Sequence, residues 1–205
     1  MYSQPRWLTD MADLREDILA LRCESPAESG GKASHSDERT FIPHQSLFHL
    51  LTEERILAAV NSIDEEYLEW HQKQNTVGWI MQRGRLLFGI LVVVRHAELI
   101  SIFTKHTLSD EKLPLAESVL NHLAPSIAKV FFDKQWEFTA PQLARDVLHR
   151  VLDPKSRMPF VHNELIAQGN FGNIYKIAVH PHHQAVPLLP EGPVIYSPTF
   201  PRLFT

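Results

Sequence analysis

Gly169 and Gly172 stand three residues apart in the stretch Ile166-Ala167-Gln168-Gly169-Asn170-Phe171-Gly172-Asn173-Ile174-Tyr175-Lys176. A phosphate is best held by backbone N–H groups with no side chain in the way. Glycine permits that close approach and tolerates positive φ. Phe171 at the tip would shield a phosphate from water, and Ile166 and Ile174 flank the turn, where they would sandwich a flat purine. The chemistry implied is nucleotide-phosphate binding by Ile166, Ala167, Gln168, Gly169, Asn170, Phe171, Gly172, Asn173 and Ile174. An ordinary glycine hairpin has the same two residues, so the spacing alone does not separate the two readings.

Other residues offer weaker chemistry. His180, His182 and His183 form the tightest group among 12 histidines, and zinc accepts imidazole ligands. Pro181 interrupts them and no third-ligand spacing follows, so they read as a solvated turn and no metal site is expected. Asp64-Glu65-Glu66 and Asp110-Glu111 read as solvated helix faces or helix starts. Cys23 is the one cysteine, which excludes an internal disulfide and a cysteine metal cluster.

The elements that must position the glycine turn are short strands. Phe160-Val161-His162 and Leu165-Ile166 read as extended. Asn173 to Val179 alternates, with Ile174, Lys176 and Ala178 on one face and Tyr175, Ile177 and Val179 on the other. A lone hairpin is marginal in water and needs support. The chain before it is helical in pattern. Met11, Leu14, Ile18 and Leu21 recur at helical spacing, with Thr9 or Asp10 as cap. Thr52-Glu53-Glu54-Arg55 opens a helix carrying Ile56, Leu57, Ala59 and Val60. Further helices are predicted over Ile63–His71, Arg83–Val94, His96–Lys105 and Ser126–Trp136, with Pro114, Pro125 and Pro141 between helices. Glu24 to Arg39 has no bulky apolar residue and reads as a flexible linker. Five prolines fall between Pro187 and Pro201, which predicts an irregular, exposed tail.

Composition sets the class. The chain has 205 residues, 44% hydrophobic and 21% charged, enough for a buried core. Net charge is −4 and the pI is about 6.3, with no basic stripe for nucleic acid. The apolar run Leu86 to Val94 is about half the length of a membrane span. An intracellular protein, cytoplasmic or nuclear, with neither nucleic acid nor membrane as partner is expected.

The segment 166–176 is similar to the glycine-rich loop of protein kinases, G-x-G-x-x-G-x-V. The following Ile177-Ala178-Val179-His180-Pro181-His182-His183 resembles a group of fungal protein-kinase-like proteins, in which a strand ending in a His-Pro-x-His-His type turn follows the loop. Those proteins carry a helical region ahead of the kinase domain, which Phe41 to Asp110 and Asp133 to Pro141 resemble; Pro159-Phe160 fits as well. The resemblance spans roughly Phe41 to His183 and is most specific at 159–183. It implies ATP as ligand, and phosphorylation of Ser or Thr for full-length relatives. The departures matter. Ala167 stands at the first glycine of the loop, no lysine follows Lys176, and no catalytic aspartate, metal-binding asparagine or Asp-Phe-Gly follows the loop. A complete kinase would need on the order of 200 further residues.

The fold expected is mainly α, with an N-terminal helix (1–23), a flexible linker (24–40), a helical domain (41–158), a truncated kinase-domain start forming the first two strands of a kinase N-lobe (159–183) and an irregular proline-rich tail (184–205). The function expected is that of a truncated protein-kinase-like protein, a pseudokinase as it stands. It would retain the ATP-phosphate loop, bind ATP very weakly and have no catalytic residue. The alternative is a non-enzymatic helical interaction module, with the Met11–Leu21 helix reaching a protein partner.

Overall fold

A computed structural model describes residues 11–26, 39–143, 151–169, 172–184 and 194–196. The chain is mainly α, and it divides into two compact units, each built from two separated segments. The first comprises Met1–Arg22 and Ile42–Thr139; the second comprises Cys23–Phe41 and Ala140–Thr205. The division therefore differs from the linear order read from the sequence. The N-terminal helix belongs with the helical unit, and residues 140–158 belong with the strands. The expected caps Thr9 and Asp10, most of the expected linker (27–38) and most of the tail lie outside the described residues.

The helical unit holds α1 (Met11–Ala20), α2 (His44–Leu50), α3 (Glu53–Asn61), α4 (Trp70–Arg83), α5 (Arg85–Val93), α6 (Ile100–Lys105), α7 (Glu117–Leu123) and α8 (Ala128–Phe138). α5 is its axis. Every residue from Leu86 to Val93 is buried, as a helix apolar on all sides requires. Gly89 gives the room for this. A Cβ there would lie 3.0 Å from Phe138 of α8 and 3.4 Å from Leu47 of α2. α1 closes one side through Leu14 and Ile18, both fully buried.

Polar side chains hold both ends of α5. The Leu86 and Leu87 N–H groups donate to Asp110 Oδ2 and Oδ1 at 3.0 and 2.9 Å. At the other end Arg15 Nε–H donates to the Val93 carbonyl at 3.0 Å. Unpaired N–H groups and a positive dipole end meet a carboxylate; unpaired carbonyls and a negative end meet a guanidinium. Asp110 is thus not a solvated charge. Burial pushes its pKa up to about 6, against the opposing pull of the Leu86 and Leu87 N–H bonds.

Between α4 and α5 the chain bends by 109° at Gly84. The Trp79 ring fills the space a side chain would take there, since a Cβ on Gly84 would come within 2.0 Å of it. No single helix among the described residues is long and apolar enough to cross a membrane.

The helix expected over Ile63–His71 is absent. α3 ends at Asn61, and Lys73 Nζ donates to the Asn61 and Ile63 carbonyls at 3.1 and 2.8 Å, holding the chain in a turn until α4 opens at Trp70. The expected helix over His96–Lys105 divides into a 3₁₀ turn, Ala97–Leu99, and α6. Thr52 caps α3, accepting from the Arg55 N–H at 3.4 Å. α2, the α4 span after His71 and α7 were not foreseen. On α8, Gln135 is fully buried and bonds both the N–H and the carbonyl of Leu115, at 2.7 and 2.9 Å. The buried Glu137 carboxylate meets Arg22 at 2.9 Å and Lys134 at 2.6 Å.

Candidate functional site

The second unit contains the glycine hairpin. β1 (Cys23–Glu24) pairs antiparallel with β2 (Thr40–Phe41), so the described ends of the expected linker are joined. β3 (Phe160–Gly169), β4 (Gly172–Val179) and β5 (Val194–Tyr196) form an antiparallel sheet in that order. β5 was not foreseen. The five prolines between Pro187 and Pro201 suggested an irregular tail, but Val194-Ile195-Tyr196 is a β-branched and aromatic triplet that pairs with Ile177, Lys176 and Tyr175.

The root of the hairpin is anchored. Phe160 stands opposite Val179, and the His180 N–H donates to the Pro159 carbonyl at 2.8 Å. Pro181–His183 then forms a 3₁₀ turn. His180 Nδ1 accepts the His182 N–H at 3.2 Å. The Gln142 side chain donates to the His182 carbonyl at 3.1 Å, and the Leu143 N–H to the His183 carbonyl at 2.8 Å. The histidine turn is therefore not solvated throughout: His183 is fully buried, its Nδ1 3.2 Å from the Pro141 carbonyl. The Phe41 ring meets His180 and His183 edge-on, at 5.7 and 5.4 Å between centroids. Burial, with a contribution from His182, holds the His180 pKa below its usual value. Arg157 donates to the Thr40 carbonyl at 2.8 Å, and the Ser25 hydroxyl to the Met158 carbonyl.

The expected phosphate-binding residues lie at the opposite end. Gly169 pairs with Gly172, Gln168 with Asn173 and Ala167 with Ile174. Asn170 and Phe171 lie outside the described residues. Gly172 has φ +148°, a conformation that L side chains rarely adopt, so this glycine is required by the turn itself. Gly169 is different, because a Cβ there meets only the Gly172 carbonyl, at an ordinary 3.7 Å. Ile166 falls where the register slips by one residue between Leu165 and Ala167, a β-bulge. It is 52% exposed and Ile174 is 39% exposed, so both apolar flanks expected to hold a base are open to solvent. Residues 166–169 and Gly172 are all exposed, whereas Tyr175, Ile177 and Val179 carry the covered face of β4.

This end offers backbone N–H groups and apolar side chains but no described cation except Lys176, which stands opposite Glu164 across the ladder. Among the described residues no three histidine, cysteine, aspartate or glutamate side chains converge as a metal site would need. No protein-family model, curated protein or solved structure matches the chain.

Proposed function

We propose that these 205 residues resemble the helical forepart and opening glycine hairpin of a protein-kinase-like protein, a segment that by itself touches ATP phosphates weakly and transfers none. The observation that supports this reading is the pairing of Gly169 with Gly172, both exposed, with Gly172 held at φ +148°. Gly169 and Gly172 are exposed and carry no side chain, which favours close approach of an anion to the backbone there. Transfer needs positioned metal ions, a lysine on the phosphates and an aspartate beside the acceptor hydroxyl. No lysine follows Lys176 and no aspartate follows Asp153.

The test pairs a phosphotransfer assay in Mg-ATP with an amide-shift titration. No transfer is expected. ATP is expected to shift amides only at 167–169 and 172–174, with a Kd on the order of 1 mM, as a handful of exposed contacts allows. Gly169→Val leaves room in the fold but crowds the phosphate approach, and is expected to abolish the shifts. Turnover that persists after contaminating kinases are removed overturns the inactive reading. Absence of any shift at the turn overturns nucleotide contact.

A second reading, a non-enzymatic interaction module, is favoured by Tyr67 and Trp70, which stand 52% and 67% exposed on the helical unit. Leu14 and Ile18 are taken up in the core, so α1 could meet a partner only through its remaining residues.

A further inference from the structure

We propose that the helical unit binds an arginine-bearing basic peptide segment in the cleft between α1, the turn at 62–67 and the chain leaving α5. The proposal rests on the second reading above and is independent of the kinase resemblance. The cleft encloses about 540 Å³ within this one unit, a volume in the range that holds a few amino-acid residues. Ile63, Val92 and Ala97 give it an apolar floor, and each is at least nine-tenths buried. Tyr67 stands on its rim.

Charge selects the occupant. The lining carries Arg15, Arg95, Glu16, Asp64 and Glu98. Arg15 is engaged by Val93 and by Glu16 at 2.7 Å, and Glu98 lies 2.8 Å from His96. Asp64 is exposed and makes no ion pair among the described residues, and Glu65, Glu66 and Glu69 are exposed in the same turn. Carboxylates thus outnumber guanidinium groups around the opening, which repels phosphates and acidic peptides and draws cations. The exposed Tyr67 and Trp70 rings supply faces that attract cations. Arginine uses both features at once, because its planar head stacks on an aromatic ring and pairs with a carboxylate through two N–H bonds. An apolar residue beside that arginine would occupy the floor.

The test uses the full chain and two blocked pentapeptides, acetyl-Ala-Arg-Leu-Arg-Ala-amide and acetyl-Ala-Glu-Leu-Glu-Ala-amide, followed by amide shifts, the Trp70 indole N–H among them. The basic peptide is expected to bind saturably, at least about tenfold more tightly than the acidic one, with shifts at Asp64, Tyr67 and Ala97. Added salt should weaken it. Asp64→Asn and Tyr67→Ala, both at exposed positions, should each reduce affinity about threefold or more with unchanged melting. Arg95→Gln, which removes the repelling cation, should tighten binding, a gain that a purely structural effect would not give. Equal binding of the acidic peptide at these residues overturns the basic chemistry while leaving the module reading intact. Absence of shifts from either peptide overturns both. Neither outcome bears on nucleotide contact at the glycine turn.

Discussion

Asp110 serves as a remote cap for α5, and its burial makes it a pH reporter. Well below its ordinary value of 3.8, its carboxyl is protonated in both folded and unfolded chains. As pH rises toward about 6 the unfolded chain releases the proton first, because the folded group holds it more tightly. Stability therefore falls through that window and levels off above it. Asp110→Asn should flatten this dependence in thermal melts from pH 4 to 7; an unchanged slope would place the titration elsewhere. Asp110→Ala should cost about 1–2 kcal/mol, since two helix N–H groups lose their acceptor. His44 runs the other way. Burial holds its pKa low against the raising effect of its 2.6 Å bond to the Phe138 carbonyl. Its contribution is complete above the unfolded value near 6.5 and is lost on acidification. His44→Gln should remove that acid-side loss.

At the scale of elements, the bend between α4 and α5 depends on Trp79 lying against Gly84. Gly84→Ala places a methyl where the ring now sits, at 2.0 Å. A destabilisation of about 1–3 kcal/mol is expected by chemical denaturation, whereas Gly78→Ala, with nothing within 4 Å, should be neutral or stabilising. The apolar run of α5, the opening of α3 after Thr52 and the alternation of β4 were legible because each is a local pattern. Lys73, Gln135 and Asp110 were not, because each acts on backbone far along the chain: Gln135 on Leu115 and Asp110 on Leu86 and Leu87. Tertiary bonds of this kind replaced the helix expected from Ile63 with a turn and made a supposed charge run into a cap. At the candidate site the glycine turn was readable from its residues. The bulge at Ile166, the third strand and the buried His183 depend on pairing partners that no short window contains.

At the scale of the molecule, the helical unit needs its first segment. Leu14 and Ile18 have no exposed surface, and Arg22 pairs with the buried Glu137 carboxylate, so removing residues 1–22 would uncover core and take one cation from Glu137. Such a deletion is expected to abolish cooperative melting and bind a hydrophobic dye; a sharp transition would show that 42–139 folds unaided. The second unit is interrupted in the same way, and that has a consequence for the ribosome. Thr40 finds Arg157 only 117 residues later, and Ser25 waits 133 residues for Met158. At common translation speeds that is a delay of about 10 s. During it the emerging chain carries Cys23–Phe41 without its partners, while α2 to α8 are made and can close on α1. Synthesis order thus favours completion of the helical unit first and leaves 23–41 as the segment most open to proteases or chaperones on stalled chains.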